Sequence, residues 1–129
     1  MFSTPQVNIY SEDVDNSVEF YRGFGFEETF RTPREGPPIH VELTLDGFKV
    51  GIAAASSAVA DHGLDLDLSK QGRGMEILLW TDDTDAAFAQ LVAAGARVLS
   101  EPHDWLDTLR VAWVADPDNN PIELVQRRP

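Results

Sequence analysis

The sequence contains no cysteine, which excludes disulfide bonds, thiolate nucleophiles and Cys-ligated metals. It is poor in positive charge: Lys and Arg number 10 against 22 Asp and Glu, a formal net charge of −12. Such a surface repels phosphate backbones, and Arg110, Arg127 and Arg128 are too few to form a basic patch, so nucleic-acid binding is not expected. Histidine is scarce, with His40, His62 and His103 far apart and no pair at metal-ligand spacing. No stretch approaches the roughly 18 apolar residues of a membrane span, and MFSTPQVNIY lacks a basic leader followed by an apolar core. The expectation is a cytoplasmic protein without a membrane partner.

What is present is ordinary globular composition: 129 residues, 43% hydrophobic and 25% charged, enough for one domain with a real core. The chain also repeats itself. SEDVDNSVEFYRGFGF (11–26) aligns without a gap with TDDTDAAFAQLVAAGA (81–96), matching Asp13 with Asp83, Asp15 with Asp85 and Gly25 with Gly95. Each copy reads as a strand end, an acidic or hydroxyl cap, an amphipathic helix of about three turns and a glycine stop. Val14, Val18 and Tyr21 form the apolar stripe of the first helix; Ala86, Phe88, Leu91 and Val92 form that of the second. QVNIY and EILLW precede the helices. FEETFRT, HVELTLD and FKVGIAA follow the first, and ARVLSEP, LRVAWVAD and PIELVQ the second, all with strand character. The pattern predicts a single domain over 1–129: one βαβββ module over about 4–55, a long polar linking loop over 56–74, and a second module over about 75–127.

Near the end, DPDNNPIEL (116–124) combines turn chemistry with a strand. Ile122 and Leu124 share one face of that strand and Glu123 the other, so a carboxylate in an apolar strand either meets water or lines a site. This motif, the DVDNSVEFY and DDTDAAFAQLVAAGARV segments and the duplicated βαβββ layout resemble the vicinal oxygen chelate superfamily, which includes glyoxalase I, extradiol dioxygenases and bleomycin-resistance proteins. The resemblance spans roughly residues 4–127. Asn119 stands where that family usually has glycine, a mild departure because asparagine accepts positive φ. The resemblance implies an α+β fold whose two tandem modules curl into half-barrel sheets around a ligand cleft, with metal ligands from the first and last strands of each module.

Carried onto this chain, those positions are Gln6, Gly51, Glu76 and Glu123. Gly51 has no ligating group and no position holds an imidazole, so no resident metal is expected. An oxygen set of Gln6, Glu76 and Glu123 would suit weakly held Mg²⁺, Mn²⁺ or Ca²⁺. By strand alternation Gln6, Asn8 and Tyr10 share a face, as do Glu76, Leu78 and Trp80, and Lys49, Gly51 and Ala53; this mixed polar and aromatic lining suits a pocket. Trp105, in EPHDWLDT, implies a stacking residue on a rim loop before the seventh strand, and His103 falls in the same loop. Trp113 reads as core and the histidines as surface residues. Expected ligand-binding residues are therefore Gln6, Asn8, Tyr10, Lys49, Glu76, Trp80, Trp105 and Glu123. Glu76 and Glu123 are the catalytic candidates, unless Arg110 or Lys49 neutralises them.

Two functions fit. In the first, a homodimeric small-molecule binding protein resembling the bleomycin-resistance branch sequesters a planar or cationic ligand such as an antibiotic in a metal-free acidic cleft. In the second, a glyoxalase-like lyase, isomerase or dioxygenase uses a divalent metal. A metal-free acid/base enzyme using Glu76 or Glu123 lies between them.

Overall fold

A computed structural model describes residues 1–129, which divide into two compact units, Met1–Leu68 and Ser69–Pro129. The first unit runs β1 (Val7–Ser11), α1 (Val14–Arg22), β2 (Glu27–Thr32), β3 (His40–Leu45), β4 (Phe48–Ala54) and α2 (Ala55–His62). The second runs β5 (Ile77–Trp80), α3 (Thr84–Ala93), β6 (Arg97–Trp105), β7 (Leu109–Ala115) and β8 (Pro121–Arg127). Each unit holds one four-stranded mixed sheet, ordered β1-β4-β3-β2 and β5-β8-β7-β6. In both, the first strand pairs parallel with the last and the remaining pairs are antiparallel. The fold is α+β, two similar βαβββ modules whose sheets are not closed barrels.

The repeat in sequence is a repeat in hydrogen bonding. Asp13 caps α1 by accepting from the Asn16 amide, and Asp83 caps α3 by accepting from the Ala86 amide. Each satisfies an amide that the first helical turn leaves without a partner. Beyond the helices, Gly25 and Gly95 adopt φ of 100° and 102°, a conformation open to glycine because it lacks Cβ. The buried face of α1 is Val14, Ser17, Val18 and Tyr21. Its counterpart in α3 is Thr84, Ala87, Phe88 and Leu91, buried or half-buried, whereas Ala86 and Val92 are exposed and do not belong to the stripe. Counting the 3.6-residue period from Thr84 as the first helical residue selects this set.

Alternation across the sheets separates two faces in each unit. In the first, Ile9, Val41, Leu43, Val50 and Ile52 are buried, and the Ser11 and Ser17 hydroxyls bond to each other from β1 and α1. In the second, Arg110 and Gln126 are register partners, and both reach the start of α3: Thr84 donates to the Arg110 carbonyl and its amide to Gln126 Oε1. Residues 110, 112 and 114 and residues 122, 124 and 126 therefore face the helix. Residues 111 and 113 and residues 123 and 125 face the other way.

Two connections differ from the sequence reading. Residues 56–62 of the expected loop, together with Ala55, form α2, a small-residue run that buries Ala58 and stops at Gly63 with φ 67°. Strand β6 continues through Trp105, with register shifts between Val98 and Ser100 and between Ser100 and His103. Bulges let a strand pass through Pro102, which has no amide to give the ladder.

Candidate functional site

Strand register brings equivalent positions of the two units to the face opposite each helix. In the first unit Asn8 lies beside Gly51 and Gly51 beside Glu42. In the second Leu78 lies beside Glu123 and Glu123 beside Trp113. Gln6 and Glu76 stand one residue before β1 and β5.

The first unit closes these positions into a polar network. Gln6 Nε2 donates to Asn8 Oδ1 at 2.8 Å and to Glu42 Oε2 at 3.3 Å. His40 Nε2 meets Glu42 Oε2 at 3.2 Å, and Lys49 Nζ lies 3.4 Å from Glu42 Oε1. Hydrogen bonding from His40, then from Gln6 and Lys49, outweighs partial burial and holds the Glu42 carboxyl below its ordinary range. Gly51 is the hollow under this network: a Cβ there would lie 2.2 Å from Asn8 Oδ1 and 2.7 Å from His40 Cε1. Tyr10, on the same face, is half-buried.

The second unit fills the equivalent positions with like charge. Glu123 is 9% exposed and its carboxyl is pushed up to about 7, first by burial and then by hydrogen bonding to, and the charge of, Glu76. No basic side chain neutralises the pair. Arg110 is held by Asp85 and Asp104, and Lys49 by Glu42, so neither serves the carboxylates as the sequence had allowed. The one identified donor is Trp113, whose Nε1–H reaches Glu76 Oε1 at 3.1 Å. An indole N–H can only donate, so that oxygen accepts, and burial beside Glu76 keeps Glu123 protonated below about pH 7. His103 stacks on the Trp113 ring, centroids 6.2 Å apart and planes 24° from parallel, and its Nδ1 lies 2.7 Å from the Glu101 carbonyl oxygen.

Trp113 is thus a half-buried site residue rather than core, and His103 belongs to a strand rather than a rim loop. Sequence reasoning read His40 as a surface residue and passed over Glu42. The available signal was strand alternation, because Glu42 and Trp113 occupy the same step of the repeat beside Gly51 and Glu123. Farther along the same face of the second unit, Leu78 and Trp80 are 43% and 55% exposed, and Trp105 52%. Arg127 places its guanidinium 4.5 Å over the Trp80 ring.

A tightly held zinc, nickel or iron does not fit these donors. In the second unit they are two carboxylates, one of them buried, with His103 turned onto Trp113; in the first, Gly51 offers no atom and Glu42 is already saturated. No three His, Asp or Glu side chains form a metal-holding group.

Residues 4–124 match the Glyoxalase/Bleomycin resistance protein/Dioxygenase superfamily. An uncharacterised protein of Mycobacterium bovis, Mb0911c, is 31% identical over 108 residues, covering 82% of this chain and 71% of that protein. Among solved structures, TioX from Micromonospora sp. ML1 superposes with a TM-score of 0.72 at 25% identity, over 98% of this chain and 100% of that one. The fold is shared by the fosfomycin resistance protein FosX from Listeria monocytogenes, with a TM-score of 0.72 at 14% identity over 98% and 93% of the two chains. A hypothetical protein from S. aureus, SA1046, reaches a TM-score of 0.81 at 19% identity, over 98% and 95%. With the duplicated βαβββ layout and the match over nearly its whole length, this chain belongs to the Glyoxalase/Bleomycin resistance protein/Dioxygenase superfamily, also called the vicinal oxygen chelate superfamily.

Proposed function

We propose that the protein is a small-molecule binding member of this superfamily whose second unit holds a planar cationic ligand, such as an antibiotic, against Glu76 and Glu123. The observation that carries this reading is a pair of carboxylates with no cationic partner, one of them buried, on a face that also exposes Leu78 and Trp80. A cation placed there replaces like-charge repulsion with attraction, and flat apolar surface is available beside it. Description of a fold relative as a fosfomycin resistance protein is in keeping with a role in resistance. The family's metal chemistry receives no step here, because the donor set does not fit a resident transition metal.

Benzamidine, a flat amidinium, tests this through tryptophan fluorescence, with Trp113 beside the pair as reporter. Affinity should fall about fivefold or more in Glu123→Gln and in Glu76→Gln, and should strengthen as pH rises through about 7, where Glu123 ionises. Equal affinity in wild type and both variants rules the reading out.

A second reading, metal-free acid/base catalysis, is favoured by one observation. A carboxyl pushed up to about 7 exchanges its proton near neutral pH, where general acids and bases work best. Turnover lost in Glu123→Gln with substrate binding retained would favour it over sequestration. We further propose a cytoplasmic homodimer. Edge strands β1, β2, β5 and β6 support pairing, since unpaired backbone invites association, and a sedimentation mass near the 14.3 kDa of one chain would refute it.

A further inference from the structure

Beyond the carboxylate pair, the same strands carry a second constellation of opposite character. Glu123 and Arg127 lie on one face of β8, separated by about 13 Å at the rise of an extended strand. At the Arg127 end, Trp80, Thr81, Asp82, Gln126 and Arg127 line an open cleft of about 490 Å³, a size that accommodates a small organic ligand.

Its polar groups are arranged as donors. Arg127 makes no ion pair, in contrast to Arg22, Arg31, Arg110 and Arg128, each of which holds a carboxylate. Instead its guanidinium rests 4.5 Å over the Trp80 ring, which orients the group while leaving its N–H edge open. Gln126 turns its side chain to the helix, where Oε1 accepts from the Thr84 amide. Thr81 spends an oxygen lone pair on the Asp83 amide, so its O–H remains to donate as well. Asp82 also lines the cleft but does not reach the guanidinium, since no ion pair joins them.

We propose that the Trp80–Arg127 cleft is a binding site for an oxyanion carried on a flat apolar body, of which an aromatic carboxylate is the simplest case. Arg127 engages the oxyanion through its planar fork, Thr81 adds a hydrogen bond from the cleft wall, and the exposed indole of Trp80 takes the flat body. The site shares the Trp80 surface with the face beside the carboxylate pair, but its oxyanion contacts do not rest on the cation-binding reading of Glu76 and Glu123.

The test uses 2-naphthoate, with its neutral analogue 2-naphthamide as control, and follows the Trp80 indole N–H and Arg127 Nε–H resonances during titration. Binding of 2-naphthoate should move both signals and be about fivefold or more tighter than that of 2-naphthamide. Arg127→Gln, at an exposed position near the chain end, should abolish that preference, and Trp80→Leu should weaken both compounds. Glu123→Gln should leave 2-naphthoate binding unchanged. Equal binding of the two compounds, or an undiminished preference in Arg127→Gln, overturns the proposal. Benzamidine run in parallel separates the two sites: its loss in Glu123→Gln but not in Arg127→Gln concerns the carboxylate pair alone, and its failure to bind leaves the naphthoate result standing.

Discussion

At matched steps of strand register, the first unit surrounds one acid with donors and the second sets two acids against each other. Glu42 takes hydrogen bonds or charge from Gln6, His40 and Lys49, whereas Glu123 has Glu76 for a neighbour. The backbones agree at the capping amides and glycine torsions, so the contrast between Glu42 and Glu123 comes from the side chains around them. A single architecture thus carries opposite electrostatics: a satisfied network that fixes the first sheet's polar face, and an uncompensated pair that stores repulsion a ligand can relieve. Gly51 and Glu123 mark the divergence, since the first network closes only because position 51 has no side chain.

The largest test of this contrast is Glu123→Gln. Because burial and Glu76 raise the folded carboxyl from the ordinary 4.5 to about 7, the folded state holds a proton that the unfolded chain has released between those values. Wild-type stability should therefore be fully present below about pH 4.5 and fall as pH rises to about 7, by an amount on the order of 3 kcal/mol. The glutamine variant should lack this fall and be the more stable protein at about pH 8, as read by urea denaturation. A wild-type midpoint that does not change between those limits contradicts the pairing.

Next in size is Gly51→Ala. The added methyl displaces Asn8 and His40 and breaks the network around Glu42, a destabilisation of about 1–2 kcal/mol from crowding and lost hydrogen bonds. Combining it with Asn8→Ala and His40→Ala should make the alanine nearly neutral. Persistence of the full cost in that background would show that the hollow is not what selects glycine.

A smaller effect, of opposite sign in pH to the first, comes from Glu42→Gln. The folded Glu42 carboxyl is depressed, so its stabilisation is present above the unfolded value of about 4.5 and lost as pH falls through the folded one. The variant should lose about 1 kcal/mol near neutral pH and nothing in acid, a modest value because the network is partly solvated. Equal loss at both ends of the titration would remove the charge from the explanation.

Trp113→Phe should be the mildest. It deletes the N–H that reaches Glu76 while keeping a ring for His103, costing about 0.5–1 kcal/mol and weakening benzamidine binding by less than either glutamate substitution. A weakening greater than that of Glu76→Gln would make the indole, not the carboxylate, the main ligand contact.

Much of the architecture was legible because it rests on local rules. Asp13 and Asp83 announce helix starts, period-two alternation places Glu123 opposite Ile122 and Leu124, and asparagine at position 119 accepts the φ of 72° that DPDNN requires. The same turn is held by Asp116, whose Oδ1 accepts from the amides of Asp118 and Asn120. The internal repeat matched Glu76 with Gln6 and Glu123 with Gly51, the resemblance to the superfamily marked those positions as inward, and strand parity set Glu123 opposite its apolar neighbours. Errors gathered where local rules compete. Ala86 and Val92 are apolar enough to suggest a buried stripe, but the first helical residue sets the phase; Pro102 suggests a loop, but bulges keep β6 extended.

Only tertiary structure decided which side chains meet. Trp113 and Glu76 are 37 residues apart, Gln6 and Glu42 36, and no periodicity specifies the pairing of strands at such separations. Register does, and it is fixed by burial of one face of each sheet under its helix. Bulges in β6 further determine that His103 reaches Trp113. Sequence determined most of the elements and the alternation along the strands, because those depend on torsions and nearest neighbours. The charge state of Glu123 was left to the fold, because desolvation and a like charge act through space, and space is defined only once the sheet has formed.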